Sequence, residues 1–510
     1  MTGAHGIPRG WRPARRVVTP SGAVVAELPS ETNAHALFAA FAGAPRRLFL
    51  DSALVDAPSA GPSTAPRLGR FSSLAVDPIL AIDVAAGEGA AERVALALAR
   101  LRGILGDLPC QPIPGLPPFQ GGFAGLFAYE AGLTLVDVAA PPGPGAPVPL
   151  VSLGLYDVVF TFDHDARRAW IVSQGVPARG PVARASRAQE RLDAVLDLVG
   201  RRAAAAETAP PRLPSGPAVP LAGHPGVHST HSPEHYRAMV AAGIEFVRAG
   251  DVFQVNLAQR LAVAGETDPT TLHLRARDVN PAPFAASYDC GTARITSMSP
   301  ERLLSVTRGF ARMHPIKGTR RVLALPEADL YAGDDLGSSD KDRAENVMIV
   351  DLVRNDLARV CTPGSVRVEA LCRLERYATV QHLVSIVTGR LAAGRTALDA
   401  LLSAIPGGSV TGAPKRRACE IVSALEPVPR GAYCGSIGWL GLDGDADFNL
   451  LIRTFVAADG ATTFAAGGGI TAASDPAAEH AESLHKAEGM LRVLASLGSA
   501  AAAARPGDPP

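Results

Sequence analysis

The sequence has no excess of charge of either sign. Lys plus Arg and Asp plus Glu both number 49. That leaves no basic surplus to attract nucleic acid and no acidic tail to recruit a charged partner. No run of about 18 apolar residues occurs, so no transmembrane helix is expected. The first 29 residues are rich in Arg, Gly and Pro and contain no apolar h-region, so no signal peptide is expected. The six cysteines, at 110, 290, 361, 372, 419 and 434, form no CxxC pair. This argues against a disulfide framework or a zinc site and fits thiols kept reduced in a cytoplasm. The glycine loop GGSVTGAPK at 407–415 does not match G-x-x-x-x-G-K-S/T, which excludes a P-loop.

What is present suits a large core. Hydrophobic residues make up 47% of 510 residues and charged residues 19%, enough for two to three domains or one interleaved catalytic unit. Apolar stretches at 48–52, 71–76, 121–127 and 155–162 read as strands, and 90–105 and 183–200 as helices. Residues 56–67 read as a Pro/Ser/Gly/Ala loop. Residues 201–230, with an Ala run and six prolines between 210 and 225, read as a linker or long surface loop. Ser232-Pro233-Glu234 then opens a helix, with Ser as N-cap, Pro at the first helical position and a carboxylate in the first turn. The expected organisation is a flexible arm at 1–20, an N-terminal region at 21–200, a linker at 201–230, a catalytic domain at 231–497 and a disordered tail at 498–510. Strands and helices do not alternate as βαβ units. The fold class is therefore α+β, with large antiparallel sheets.

Several clusters carry chemistry. Lys317 lies between an apolar pair and a Gly-Thr turn in Pro315-Ile316-Lys317-Gly318-Thr319-Arg320-Arg321. A lysine amine becomes a nucleophile when desolvation or a nearby cation lowers its pKa; in isolation the same pattern also describes a solvated turn lysine. Glu345 borders the apolar stripe of a helix opening at Asp340, with Ser338 and Ser339 as candidate caps, and a carboxylate there needs a partner. Glu479, Glu482 and Lys486 fall at i, i+3, i+7 on one helical face. They suit a magnesium ion beside an anionic substrate, or ordinary helix charge patterning. Gly467-Gly468-Gly469 reads as an anion-binding nest of backbone N–H groups or as a flexible turn. Arg453, in an apolar strand over 448–454, requires a carboxylate from the protein or from a ligand.

Taken in order, the motifs at 315–320, 340–346, 354–356, 377–385, 407–415, 433–438, 447–454 and 467–476 resemble the chorismate-utilising enzymes, and within them the aminodeoxychorismate synthase branch. The resemblance is strong over 230–497 and looser in the first half. It implies antiparallel sheets packed as a sandwich with helices outside, and binding of chorismate with Mg²⁺. By resemblance Glu345 and Glu482 hold the metal, with Glu479 beside them. Tyr433, Arg453, Lys486 and the backbone at Gly467, Gly468 and Gly469 take the substrate carboxylates. Glu301 matches the acid that protonates the departing C4 hydroxyl, and Thr411 and His382 line the ring site. Ser52, Pro281, Pro283 and Phe284 resemble a tryptophan pocket.

Two positions divide the family. Members that add water look to have a lysine base where this chain has Gln254, and anthranilate synthases usually have alanine where it has Lys317. The resemblance therefore implies a covalent lysine intermediate and amination at C4, leading to para-aminobenzoate and folate. It departs from the family pattern at Arg321, at Ala473 and at Glu479-His480-Ala481. No Gly-x-Cys-x-Gly nucleophile elbow occurs. Ammonia is therefore expected from solution or from a separate glutamine amidotransferase subunit, in a cytoplasmic enzyme. The alternatives are anthranilate synthase component I and a non-catalytic protein that binds chorismate or tryptophan for regulation.

Overall fold

The computed structural model describes residues 7–52, 69–201, 210–321, 340–376 and 380–503. The loop expected at 56–67, the caps Ser338 and Ser339, and Tyr377 lie outside them. The described residues form two antiparallel sheets of 14 and 10 strands with helices around them, the expected α+β class. Both sheets draw strands from both halves of the chain. Leu48–Asp51 pairs with Phe284–Asp289 in the larger sheet, and Gly122–Phe127 pairs with Ser436–Gly441 in the smaller.

The sheets face each other across a shared apolar layer. Leu48, Tyr288 and Ile295 of the larger sheet meet Leu126, Ile437 and Trp439 of the smaller. Trp439 stacks on Phe119 with centroids 5.3 Å apart, a pair worth about 1 kcal/mol beyond its burial. The outer face of the larger sheet is covered in part by helices Pro269–Val279 and Pro476–Ala503. Helix Pro233–Arg248 starts as its sequence dictates, with Ser232 Oγ accepting from His235 N at 3.2 Å.

Among the described residues the chain passes from one sheet to the other six times, and three of these crossings hold Asp157, Arg453 and Glu301. The stretch read as one strand at 155–162 is two, Val151–Tyr156 in the smaller sheet and Val158–Asp163 in the larger. The break falls at Asp157, a buried carboxylate that needs the Arg191 guanidinium, whose Nε lies 3.1 Å away. The strand read at 448–454 likewise divides into Ala446–Asn449 and Thr454–Ala458. Between them the backbone turns out of extended form, and Arg453 adopts φ +52°. The third crossing, between Arg294–Ser299 and Arg302–Thr307, contains Glu301. The last two of these three are tied together: Leu450 N donates to Glu301 O at 3.0 Å, and Ser299 Oγ donates to Leu450 O at 2.5 Å.

Other boundaries also differ from expectation. The arm is anchored where it is described: Ile7 is buried, Val17–Val18 pairs with Val24–Glu27, and Arg16 donates to Asp193 at 3.0 Å. Within 210–230, Val219–Pro220 and Val227–Ser229 add two short strands at the edge of the larger sheet. The C-terminal helix runs to Ala503, past the expected limit at 497, because an alanine run extends a helix at the least propensity cost. No helix among the described residues is long and apolar enough to cross a membrane.

Candidate active site

Glu301 occupies a sheet crossing and is 6% exposed. Its Oε1 accepts from Ser409 Oγ at 2.7 Å. Burial pushes its carboxyl up to about 7, against the opposing effects of the Ser409 hydroxyl, Lys317 and the Ile316 amide. A carboxyl of that pKa is substantially protonated near neutrality and can act as a general acid.

Lys317 lies on the strand Ile316–Arg321, which pairs with Val380–Arg390. The register slips between Lys317 and Thr319, and Gly318 adopts φ +71°. The expected turn is thus a bulge within a strand, a device that re-aims a side chain. Part of the residue's surface is open, but its amine is enclosed. Nζ donates to Ser409 O at 3.3 Å. Burial, joined by the Lys486 ammonium, lowers the Lys317 pKa, while Glu345, Glu301 and Glu482 act the other way. Desolvation is the largest cause. The side chains of Arg320 and Arg321 lie outside the described residues.

The three glycines are not a nest. Gly467, Gly468 and Gly469 lie within the extended strand Ala461–Ile470, opposite Ala258, Leu257 and Asn256. What they provide is room. A Cβ on Gly468 would stand 3.0 Å from Glu479 Oε2, 3.6 Å from Lys486 Nζ and 4.0 Å from Glu482 Oε1, and one on Gly469 would collide with the Gln254 amide. The i, i+3, i+7 face of the last helix therefore converges on one point above Gly468. Lys486 Nζ bonds Glu482 Oε1 at 2.8 Å and donates to Gly467 O at 3.1 Å. Glu479 is buried and accepts from Ser474 Oγ at 2.7 Å.

This donor set is all oxygen, which suits a hard divalent cation held by one or two carboxylates and completed by water and substrate. No group of three or more His, Cys, Asp or Glu side chains that could hold a metal occurs among the described residues. The fit is therefore to that partly open kind of site and not to a closed protein cage.

The remaining candidates differ in their surroundings. Thr411 is fully buried, and its hydroxyl donates to Gly407 O at 3.0 Å, bracing its own loop. Tyr433 is buried beside Arg430. The Arg453 guanidinium is enclosed, and burial lowers its pKa. His382 lies opposite Thr319 on its strand, but its side chain is outside the described residues. Ser409, which bridges Glu301 and Lys317, was not singled out by sequence; its only signal was a hydroxyl inside the 407–415 glycine loop.

A separate cavity between the sheets is lined by Asp51, Ser52, Phe71, Pro283, Phe284 and Trp439, among others. It brings together three of the four residues of the expected tryptophan pocket; Pro281 is not in its lining. Asp51 is fixed by His273 Nε2 at 3.2 Å and Arg277 Nε at 3.1 Å.

A family model described as chorismate binding enzyme matches residues 61–492. Anthranilate synthase component 1 of Streptomyces coelicolor is 41% identical over 391 residues, 75% of this chain and 74% of that protein. Aminodeoxychorismate synthase component 1 of Klebsiella aerogenes is 40% identical over 390 residues, 76% of this chain and 80% of that protein. Among solved structures, anthranilate synthase component I from Streptococcus pneumoniae is 27% identical with a TM-score of 0.68, covering 85% of this chain and 95% of that one.

Proposed function

The chain belongs to the chorismate binding enzymes, and within that family we propose that it is the large subunit of an aminodeoxychorismate synthase, making 4-amino-4-deoxychorismate from chorismate and ammonia. The observation that carries this reading is the pairing of an enclosed lysine of lowered pKa with a buried carboxyl of raised pKa through Ser409.

The chemistry assigned to these groups balances. Glu301 gives its proton to the C4 hydroxyl, which departs as water. The neutral Lys317 amine bonds to C2 as both ring double bonds shift toward C4. Ammonia then bonds to C4, both double bonds return, the C2–N bond breaks with its electron pair returning to the lysine, and the new C4 ammonium gives a proton back to Glu301. Two allylic displacements thus replace the C4 substituent without moving it, which requires a first nucleophile that is also a leaving group. Arg453, Lys486, Tyr433 and the Gly467–469 backbone are assigned to the substrate carboxylates, and Thr411 and His382 to the ring. Glu345 and Glu482, with Glu479 adjacent, would hold a magnesium ion, which when bound supplies positive charge for a carboxylate.

Ammonia is assigned to a separate glutamine amidotransferase subunit. The name component 1 borne by a relative supports this. The product would serve para-aminobenzoate and folate synthesis. The Ser52, Pro283 and Phe284 cavity is proposed to take tryptophan.

A second reading, anthranilate synthase component I, is favoured by the 41% identity to a protein of that name. Incubation of the purified chain with chorismate, Mg²⁺ and ammonium separates the two. The first reading predicts 4-amino-4-deoxychorismate by mass, and anthranilate as main product would refute it.

A further inference from the structure

Arg430 is a charged residue that no proposed step uses, and it lies at the centre of the elements that carry the site. It follows helix Lys415–Leu425, and its side chain is 2% exposed. Nε and Nη2 bind the Glu426 carboxylate at 2.8 and 2.6 Å, a two-pronged contact that only a planar guanidinium makes. The outward donors are aimed elsewhere. Nη1 donates to Val410 O at 2.9 Å and Nη2 to Asn256 O at 2.8 Å. The guanidinium also lies 4.7 Å from the Tyr129 ring centroid and 5.8 Å from that of Tyr433.

Each contact ends one step from a candidate substrate group. Val410 precedes Thr411, whose carbonyl accepts from Asn256 N at 2.8 Å. Asn256 stands two residues from Gln254 and directly opposite Gly469. Glu426 Oε1 accepts from Ala258 N, on the same strand as Asn256, at 2.9 Å. The Arg430 peptide itself is held by Glu130, which accepts Arg430 N at 2.7 Å and Gly431 N at 3.0 Å. Burying an ion pair this completely is costly and offers little net stability over an apolar pair of similar shape.

We propose that Arg430, held by Glu426, is a positioning residue that sets the spacing between the Val410–Thr411 loop, the strand opposite Gly469 and the Tyr433 ring, and so governs chorismate binding without touching it. This rests on the assignment of Thr411, Tyr433 and the glycine strand to a chorismate site.

Arg430→Lys keeps the charge but not the fork; Glu426→Gln keeps the shape but loosens the fork. Each is compared with the parent in kcat, in KM for chorismate and for ammonium, and in thermal unfolding, with rates expressed per folded enzyme. Loss of one charged contact predicts a fall of about tenfold or more in kcat/KM for chorismate, carried by KM, with KM for ammonium unchanged. A residue that only filled the core would lower the melting temperature and leave both KM values at the parent level, and that result would overturn the proposal. Failure of both variants to fold would also overturn it, by assigning the pair to stability alone. The product formed by the parent is identified in the same assay. A parent making anthranilate would overturn the proposed function while leaving the KM comparison for Arg430 intact.

Discussion

The carboxyl of Glu301 and the amine of Lys317 are joined through one residue. Ser409 donates its hydroxyl to Glu301 at 2.7 Å and accepts Lys317 Nζ at its backbone carbonyl at 3.3 Å. The two titrating groups share a buried environment without direct contact. There, desolvation penalises the ion pair and favours the acid with the free amine. Those are the forms that a proton donor and a nucleophile require.

The Ser409 hydroxyl stabilises the Glu301 carboxylate, so its removal should raise the Glu301 pKa further. Activity that needs protonated Glu301 falls as pH rises past about 7. In Ser409→Ala this fall should move to higher pH, as read from kcat against pH. An unmoved limb would show that the rate does not follow Glu301.

Glu301 also links activity to stability. Its folded pKa, about 7, lies above the ordinary value of 4.5. The folded state therefore holds the proton more tightly than the unfolded chain, and stability falls as pH rises through that window. The cost is complete above it and is on the order of 3 kcal/mol. Glu301→Gln should escape the cost, unfolding at higher urea than the parent near pH 8 but not near pH 4, while losing about 10²-fold or more in rate. Glu130, also raised to about 7, is common to both proteins and cancels in the comparison. Equal urea midpoints at the higher pH would contradict the burial argument.

The acidic helix face yields a metal prediction. Glu345→Gln and Glu482→Gln should each require more Mg²⁺ for half-maximal activity. Gly468→Ala, which places a methyl group 3.0 Å from Glu479 Oε2, should do the same. The Glu482–Lys486 pair is about half exposed, so its loss should cost at most about 1 kcal/mol of stability. An unchanged Mg²⁺ titration in Glu482→Gln would reduce that face to surface charge patterning.

Nitrogen supply is tested by substitution of the donor. With no Gly-x-Cys-x-Gly elbow in the sequence, the purified chain should turn over chorismate with ammonium and not with glutamine. Turnover on glutamine, with a second protein excluded by mass spectrometry, would contradict this.

Much of this arrangement was legible in local pattern. The face formed by Glu479, Glu482 and Lys486 follows from helical spacing alone, and the Ser232 cap and the strands at 48–51 and 71–75 follow from local chemistry. What was not legible depends on contacts distant in sequence. Nothing in the apolar runs at 155–162 and 448–454 shows that the chain leaves one sheet for the other at Asp157 and at residues 450–453, because both strands of each run bury the same residue types. The triple glycine looked like a nest because its tightest constraint, the approach of the Gln254 side chain to Gly469, comes from a residue far from it along the chain. Ser409 was overlooked for the same reason: Glu301 and Lys317 meet it only after three separate segments have come together.

The central claim is that Lys317 is a nucleophile and not a turn lysine. Its most direct test is the intact mass of the protein incubated with chorismate and Mg²⁺ in the absence of ammonia, followed by peptide mapping. The account predicts a chorismate-derived adduct, formed with loss of water, on the peptide containing Lys317. It also predicts that Lys317→Ala lacks the adduct, still binds chorismate, and loses C4 amination by orders of magnitude. A Lys317→Ala enzyme that makes 4-amino-4-deoxychorismate at the parent rate would contradict it.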